Sequence, residues 1–344
     1  MKSRVILKVE FPHWIASLIK TENVIGIKAK EAGKFHFGKL RSSGELRLDY
    51  DVAVLPPKKY LQPPKEDLLS YNIASFKVTP SADFQPITII GVHPYDMHGI
   101  NQMDAVFSDE NKDTNYLGRR KNVKIIGVDP VKASAWSFWH DMGTAYVDKG
   151  FDLWLTDIGD RYFIEIGTKS GENLLKPAKT ESASKIDIER HKKARSGLKN
   201  ICSPSRRIKT DIKKIPDIFR ANHDHGLWEK RAKTCYSCGS CNLVCPTCYC
   251  FDVREDMELN LTGGRRVRVW DGCMLEEFAR VGSGENFRKE RSARFRHRFF
   301  RKMVYMKEKI GALACVGCGR CASACLPDIA DPVTAINELS GLED

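Results

Sequence analysis

The sequence predicts an α+β protein, with an α/β scaffold and docking domain over residues 1–195 and a mostly helical domain over residues 196–344. Three observations carry that expectation. Short apolar runs alternate with polar, helix-like stretches in the first part. The segment from about 170 to 200 turns to Lys, Glu and Ser (KPAKTESASKIDIERHKKARSG), as a polar helix or linker does. Beyond it, 11 of the 12 cysteines fall between Cys235 and Cys325, while the first 201 residues contain none. A length of 344 residues suits about two domains.

Taken in order, Val5–Glu10 suits a strand and Pro12–Lys20 a short amphipathic helix. Glu45–Leu55 places Leu46, Leu48, Tyr50, Val52 and Val54 on alternate positions, the period of a half-buried strand. Pro56, Pro57, Pro63 and Pro64 then mark a loop. Ile87–Val92 and Val123–Val128 share the form I-I-G-V and suit buried strands of one sheet. Phe151–Leu155 and Arg161–Ile166 suit a hairpin turning at Gly159-Asp160. Phe287–Ile310 reads as a helix with Phe295, Phe299, Met303 and Met306 on one side and Arg and Lys residues on the other.

Composition excludes several classes. Hydrophobic residues make up 42% and charged residues 29%, which is globular and neither disordered nor fibrous. No apolar run reaches the length of a membrane span. The start, MKSRVILKVE, lacks the apolar core and cleavage site of a signal peptide, so a cytoplasmic location is expected. A disulfide framework would not leave the first 201 residues empty, and the cytoplasm would not keep it oxidised. The clustering points to metal.

The pattern is Cys235-x2-Cys238-x2-Cys241-x3-Cys245-Pro246, repeated as Cys315-x2-Cys318-x2-Cys321-x3-Cys325, with Pro327 one residue later. This is the bacterial ferredoxin spacing for a [4Fe–4S] cluster, in which the fourth cysteine ligates the other cluster. Two clusters are therefore expected: one on Cys235, Cys238, Cys241 and Cys325, the other on Cys315, Cys318, Cys321 and Cys245. Gly239 and Gly319 match within the two loops, where the backbone must pass close to the cluster. The C-terminal domain is thus expected to be dicluster ferredoxin-like, with the loops at helix starts whose partial positive charge favours anions. A pair of zinc sites would use separated cysteine pairs instead. With all eight ligands present, no open iron site and no catalytic residue is assigned. Cys202, Cys248, Cys250 and Cys273 remain. They are read as buried thiols near the first cluster, with an additional cluster on these four as the alternative.

The net charge is +12, and Phe287–Lys309 holds ten Lys or Arg against two Glu, a local +8. Two anionic clusters add roughly −4, since a cubane on four thiolates carries about −2. The basic run is read as countercharge and as a surface for an acidic partner, with Arg288, Arg291, Arg294, Arg296, Arg298 and Arg301 as docking residues. A nucleic-acid face with Phe295, Phe299 and Tyr305 as stacking platforms is the competing class, but no motor or nuclease motif accompanies it. His93, Asp96 and His98 lie together in GVHPYDMHG; they read as a loop at a strand end rather than a metal site. No G-x-G-x-x-G follows a strand, so no dinucleotide site is assigned.

The first motif, extended by Pro246-Thr247-Cys248-Tyr249-Cys250, resembles the iron–sulfur β subunit of cytoplasmic [NiFe] sulfhydrogenases and the related iron–sulfur subunit of anaerobic sulfite reductase. Trp270-Asp271-x-Cys273, Gly284-Glu285-Asn286-Phe287-Arg288, Arg294-Phe295-Arg296-x-Arg298 and Cys315-Val316-Gly317-Cys318-Gly319-Arg320-Cys321 are similar too. Looser likeness extends upstream through Pro56-Pro57-Lys58-Lys59, Gly91-Val92-His93 and Gly150-Phe151-Asp152-Leu153. The resemblance implies an electron-transfer subunit of an anaerobic, heteromeric oxidoreductase. Such a subunit relays electrons between a flavin subunit handling NAD(P)H and the small and large subunits of a [NiFe] hydrogenase. A sirohaem sulfite reductase subunit, or a disulfide reductase, would take the place of the hydrogenase in the alternative. Many members also carry four cysteines for an N-terminal cluster. Here the matching positions hold Tyr95, Pro130, Ser137 and Trp139, so no N-terminal third cluster is expected.

Overall fold

The computed structural model describes residues 3–81, 84–203 and 205–342. In chain order its strands are β1 (Ser3–Leu7), β2 (Val24–Ala29), β3 (Phe35–Lys39), β4 (Lys65–Asn72), β5 (Lys77–Pro80), β6 (Ile87–Val92), β7 (Val123–Val128), β8 (Leu153–Asp157), β9 (Arg161–Ile166), β10 (Glu181–Ser182), β11 (Phe251–Met257) and β12 (Gly263–Trp270). Eight of them form one sheet in the order β10-β1-β9-β8-β7-β6-β2-β3. The centre, β2, β6, β7 and β8, is parallel, and antiparallel strands complete both sides. The chain is α+β, as expected.

The near-continuous apolar runs make the central strands. β6 and β7 are buried on both faces because helices cover both. On one face Ile89 and Ile125 meet Met97, Ile100, Met103 and Phe107 of the helix Pro94–Phe107. On the other, Ile90 and Ile126 meet Trp14, Ile15 and Leu18 of the helix Phe11–Thr21. The hairpin β8–β9 forms around Gly159, whose φ is +108°.

Glu45–Leu55 is not a strand. It begins with a short 3₁₀ turn over Ser43–Glu45 and continues as irregular backbone, with one bridge from Ala53 to Phe35. Its apolar residues dock singly: Leu46 and Leu48 pack on one core, Tyr50 and Ala53 on the other, and the Tyr50 hydroxyl donates to the Gly91 carbonyl at 2.6 Å. A period of two arises here without a ladder partner.

The second sheet, β11-β12-β4-β5, is antiparallel and joins strands from both sides of residue 195. Its outer half is the hairpin between the two cysteine motifs. Beyond residue 196, β11 and β12 are the strands among the described residues, and the rest is helix and loop. There the core gathers Phe219, Trp228, Phe295, Phe299, Met303 and Ile336 around Cys235, Cys241 and Cys273. The helix expected over Phe287–Ile310 starts at Arg291. It runs Arg291–Phe300, passes through a π turn over Arg301–Tyr305 and ends Met306–Ile310 at Gly311, whose φ is +75°. Among the described residues no helix is long and apolar enough to cross a membrane.

Candidate metal centres

The two cysteine motifs fold into matching loops. Ser237 and Gly317, at equivalent positions, have φ of +53° and +66°, and Gly239 and Gly319 have φ of +72° and +76°. Each loop then enters a short helix, Ser240–Leu243 or Arg320–Ser323. The second loop is pinned by the N-terminal half. Phe138 N donates to the Gly317 carbonyl at 2.8 Å, Thr144 Oγ1 to Val316 at 2.7 Å and Ser137 Oγ to Cys318 at 3.2 Å. A Cβ on Gly317 would lie 2.5 Å from Trp139 Cα, and one on Gly319 2.4 Å from the Trp136 carbonyl. Glycine is needed there both for the left-handed backbone and for the close approach.

Two cavities lie at these loops. One is lined by Cys315, Cys318, Cys321 and, from the other motif, Cys245. The other is lined by Cys235, Cys238, Cys241 and, from the other motif, Cys325. Each therefore collects three thiols from one loop and the fourth from the end of the other, the crossed arrangement expected from the spacing. Among the described residues no three His, Cys, Asp or Glu side chains converge on a point as a single metal ion requires. The quartets surround a space instead, which suits a multi-atom cluster. Burial pushes the Cys241 and Cys318 thiols up to about 12 and Cys315 higher still, so loading iron there must expel protons.

Cations supply the matching charge. Arg294, Arg298 and Lys302, spaced four apart along one helix, are all buried. Arg294 donates to Ser237 Oγ at 3.1 Å in the first loop. Arg298 and Lys302 line the cavity of the second, and Arg298 Nη2 approaches the Cys241 carbonyl at 3.4 Å. Burial disfavours the Lys302 ammonium, but the neighbouring Cys245 and Cys248 sulfurs outweigh it and hold its pKa raised. A buried cation is costly unless paired: Arg294 has the Glu276 carboxylate at 4.0 Å, and Arg298 and Lys302 have the cysteine sulfurs beside them.

Residues 234–329 match the family of 4Fe–4S dicluster domains. A Pyrococcus furiosus protein named sulfhydrogenase 2 subunit beta is 30% identical over 317 residues, 92% of this chain and 92% of that one. The chain belongs to the sulfhydrogenase β-subunit family. No solved structure matches it.

In this β-subunit family member the remaining cysteines divide. Asn242 is buried, and its Nδ2 points at Cys248 Sγ (3.6 Å) and Cys273 Sγ (3.5 Å), with Cys250 near Cys273. Cys202 packs elsewhere, with Tyr95, Trp139, Val316 and Cys318 beside the second loop. The set Cys202, Cys248, Cys250 and Cys273 is thus not brought together as four. Of the positions singled out for the N-terminal cluster, Tyr95 and Trp139 stack at 6.5 Å within that same cluster of side chains, and Ser137 is occupied with the Cys318 carbonyl.

Two expectations for charged residues change. Arg294 and Arg298 are buried and so are not offered to a partner's surface; their spacing puts them on the inner face, level with the cysteine loops. Arg291 is exposed, and Arg288, Arg296 and Arg301 are partly exposed. The loop expected over His93, Asp96 and His98 is instead the start of the helix Pro94–Phe107, with His93 at its N-cap, and the three side chains do not converge. His93 Nδ1 meets the Tyr95 hydroxyl at 2.7 Å, and His98 Nε2 bonds the Tyr146 carbonyl. Asp96 pairs with Arg320, a residue sequence reasoning passed over although it sits between two motif cysteines.

Proposed function

We propose that this chain is the electron-transfer subunit of a cytoplasmic, anaerobic sulfhydrogenase-type complex, carrying electrons through two [4Fe–4S] clusters. Cys235, Cys238, Cys241 and Cys325 would hold one cluster, and Cys315, Cys318, Cys321 and Cys245 the other. The clusters would supply one-electron redox chemistry with no vacant iron. The carrying observation is the exchange of the fourth cysteine between the two cavities, which ties both sites to one helical core and keeps them adjacent.

The chain's own residues would then set the environment. Arg298 and Lys302 provide countercharge, the glycine loops let backbone pass close, and the N-terminal half braces the second loop. The partners would be a flavin subunit that handles NAD(P)H and the small and large subunits of a [NiFe] module. Arg288, Arg291, Arg296 and Arg301 remain the docking candidates. With Arg294, Arg298 and Lys302 turned inward, the basic run is broken as a nucleic-acid face.

Anaerobically purified protein should be brown, contain about eight irons per chain and co-purify with [NiFe] subunits. Four irons, or zinc, would overturn the two-cluster assignment. A sirohaem subunit in place of the [NiFe] pair would reassign the terminal partner.

A further inference from the structure

Cys315 borders two cavities. It lines the space enclosed by its own quartet, and it also lines an open cleft of about 360 Å³. That cleft lies between the two halves of the chain. His98 and Gln102 of the helix Pro94–Phe107 form one wall, and the turn Ile212–Lys214 and the segment from Lys307 to Leu313 form the others. Gln102 Nε2 donates to the Leu313 carbonyl at 2.9 Å and ties two of the walls together. Cys318 of the same quartet is covered instead, by Tyr95 and Trp139.

The charge of this cleft is one-sided. Lys213, Lys307 and His98 line it, and no carboxylate does among the described residues. Both lysines are exposed. Lys307 Nζ caps the Gly311 carbonyl at 2.7 Å, which holds its charge at the rim. Other clefts of the chain are compensated: the one at Arg195 also holds Asp148 and Glu165, and the one at Arg4 holds Glu172. No Phe, Tyr or Trp lines the cleft among the described residues, so a flat cofactor ring would have nothing to stack on. What remains is an uncompensated cationic opening with a motif cysteine in its wall.

We infer that this cleft is an electron port for a small acidic carrier protein, which docks on Lys213 and Lys307 and brings its redox centre beside Cys315. The inference rests on reading Cys315 as a ligand of the second cluster, and it deepens that reading. Uncompensated positive charge favours an anionic partner and speeds its encounter. The two lysines stand on separate elements, which suits the spread charge of a protein surface rather than one small anion. A cluster ligand in the wall makes electron exchange the use of the contact. The first quartet has its own outlet at the exposed Cys238, beside which Arg291 donates to the Cys235 carbonyl at 3.0 Å. The two outlets serve different clusters, as a relay between two partners requires.

The test mixes the full, iron-loaded chain anaerobically with fully reduced flavodoxin, an acidic flavin carrier, as the probe. Each transfer takes one electron from the anionic flavin hydroquinone, leaves the neutral semiquinone and adds the electron to an oxidised cubane; no proton moves. Stopped-flow absorbance of the semiquinone gives the rate. Lys213→Glu with Lys307→Glu should slow it at least tenfold and flatten its dependence on salt. Lys213→Gln with Lys307→Gln should slow it severalfold, which keeps the test open if the reversed pair folds poorly. Lys176→Glu with Lys179→Glu, near the β10 edge of the first sheet, should keep the wild-type rate. Photoreduced deazariboflavin, a small neutral reductant, should act equally on all of these chains. An unchanged rate in both cleft variants would overturn the port. So would an equal loss in the Lys176 and Lys179 variant, which would make net charge the cause, or an equal loss with deazariboflavin, which would place the defect in the clusters. A loss confined to reduced anthraquinone disulfonate, with flavodoxin unaffected, would assign the cleft to a small anion and overturn the carrier as occupant. A wild-type chain that holds four irons, or zinc, fails the cluster reading itself, and that result appears before any rate is measured.

Discussion

Arg320 and Asp96 form a buried bidentate pair, Nη1 to Oδ1 at 2.6 Å and Nη2 to Oδ2 at 2.7 Å, which ties the second cysteine loop to the first turn of the helix Pro94–Phe107. Arg320 Nε also donates to the Ala53 carbonyl at 2.7 Å, so both ends of the guanidinium are fixed. Both side chains are almost fully enclosed. Removing one partner of such a pair leaves an uncompensated buried charge and costs ~3–5 kcal/mol. Asp96→Ala should destabilise the protein by that amount in denaturant unfolding, whereas Asp96→Ala with Arg320→Met should cost less than the sum of the single changes. Additive losses would show that the pair does not act as a unit.

His191 offers a pH-dependent signature remote from the cysteines. Its ring stacks on Phe163 at 4.1 Å, and burial, then Arg195, lowers its pKa to about 4. The folded chain therefore holds this histidine neutral, while the unfolded chain protonates it near 6.5. The unfolded state binds the extra proton, so stability is full above pH 6.5 and declines as the pH falls from there toward 4. His191→Phe keeps the stacking and removes the proton. Unfolding measured across pH 4–8 should show an acid slope shallower by about one proton in the variant. An unchanged slope would contradict the assignment.

The glycines of the two loops should respond unequally. Gly319→Ala places a Cβ 2.4 Å from backbone atoms of Trp136, which cannot move aside. Gly239→Ala meets the Leu275 side chain at 2.9 Å, a flexible neighbour. Both carry the left-handed strain, but only Gly319 adds a backbone clash. Gly319→Ala should cost about 3 kcal/mol from overpacking and strain together and halve the iron content. Gly239→Ala should cost ~1 kcal/mol and retain both clusters. Iron analysis after anaerobic purification distinguishes the two.

These contrasts mark where the sequence was legible. The grouping of the motif cysteines around two cavities was readable because three members of each quartet are a local spacing, and the fourth follows from it. The I-I-G-V strands were readable because a strand buried on both faces needs an unbroken apolar run. Lys65–Asn72 was not: it is charged and half-exposed, and it becomes β4 because a hairpin nearly 200 residues later supplies β12 as its partner. Burial of Arg294, Arg298 and Lys302 was hidden because a cation reads as solvent-facing. The signal available was their fourfold spacing beside Phe295, Phe299 and Met303, which places them on the flank of the apolar stripe.

That flank should govern reduction potentials. Arg298 is 2% exposed, lines the cavity of the second loop, reaches the carbonyl of Cys241 in the first, and pairs with no carboxylate among the described residues. Lys302, one turn on, donates to Thr247 Oγ1 at 2.7 Å beside Cys245. Reduction adds negative charge to a site, and a fixed cation in a low-dielectric interior favours the reduced form. Replacing Arg298 by Met should therefore shift the potentials of both clusters downward. A tenfold change in a one-electron equilibrium is ~59 mV, and a shift of at least that size is expected. Arg298→Lys should recover most of it, because the charge returns although the planar fork does not. Lys302→Met should act mainly on the cluster that shares Cys245, whereas Arg298→Met, lying between both loops, should move both. Redox titration followed by electron paramagnetic resonance, at equal iron content, reads these shifts directly. Potentials unmoved in Arg298→Met would limit its role to packing, since a structural loss lowers iron content and leaves the potential of the surviving clusters where it was.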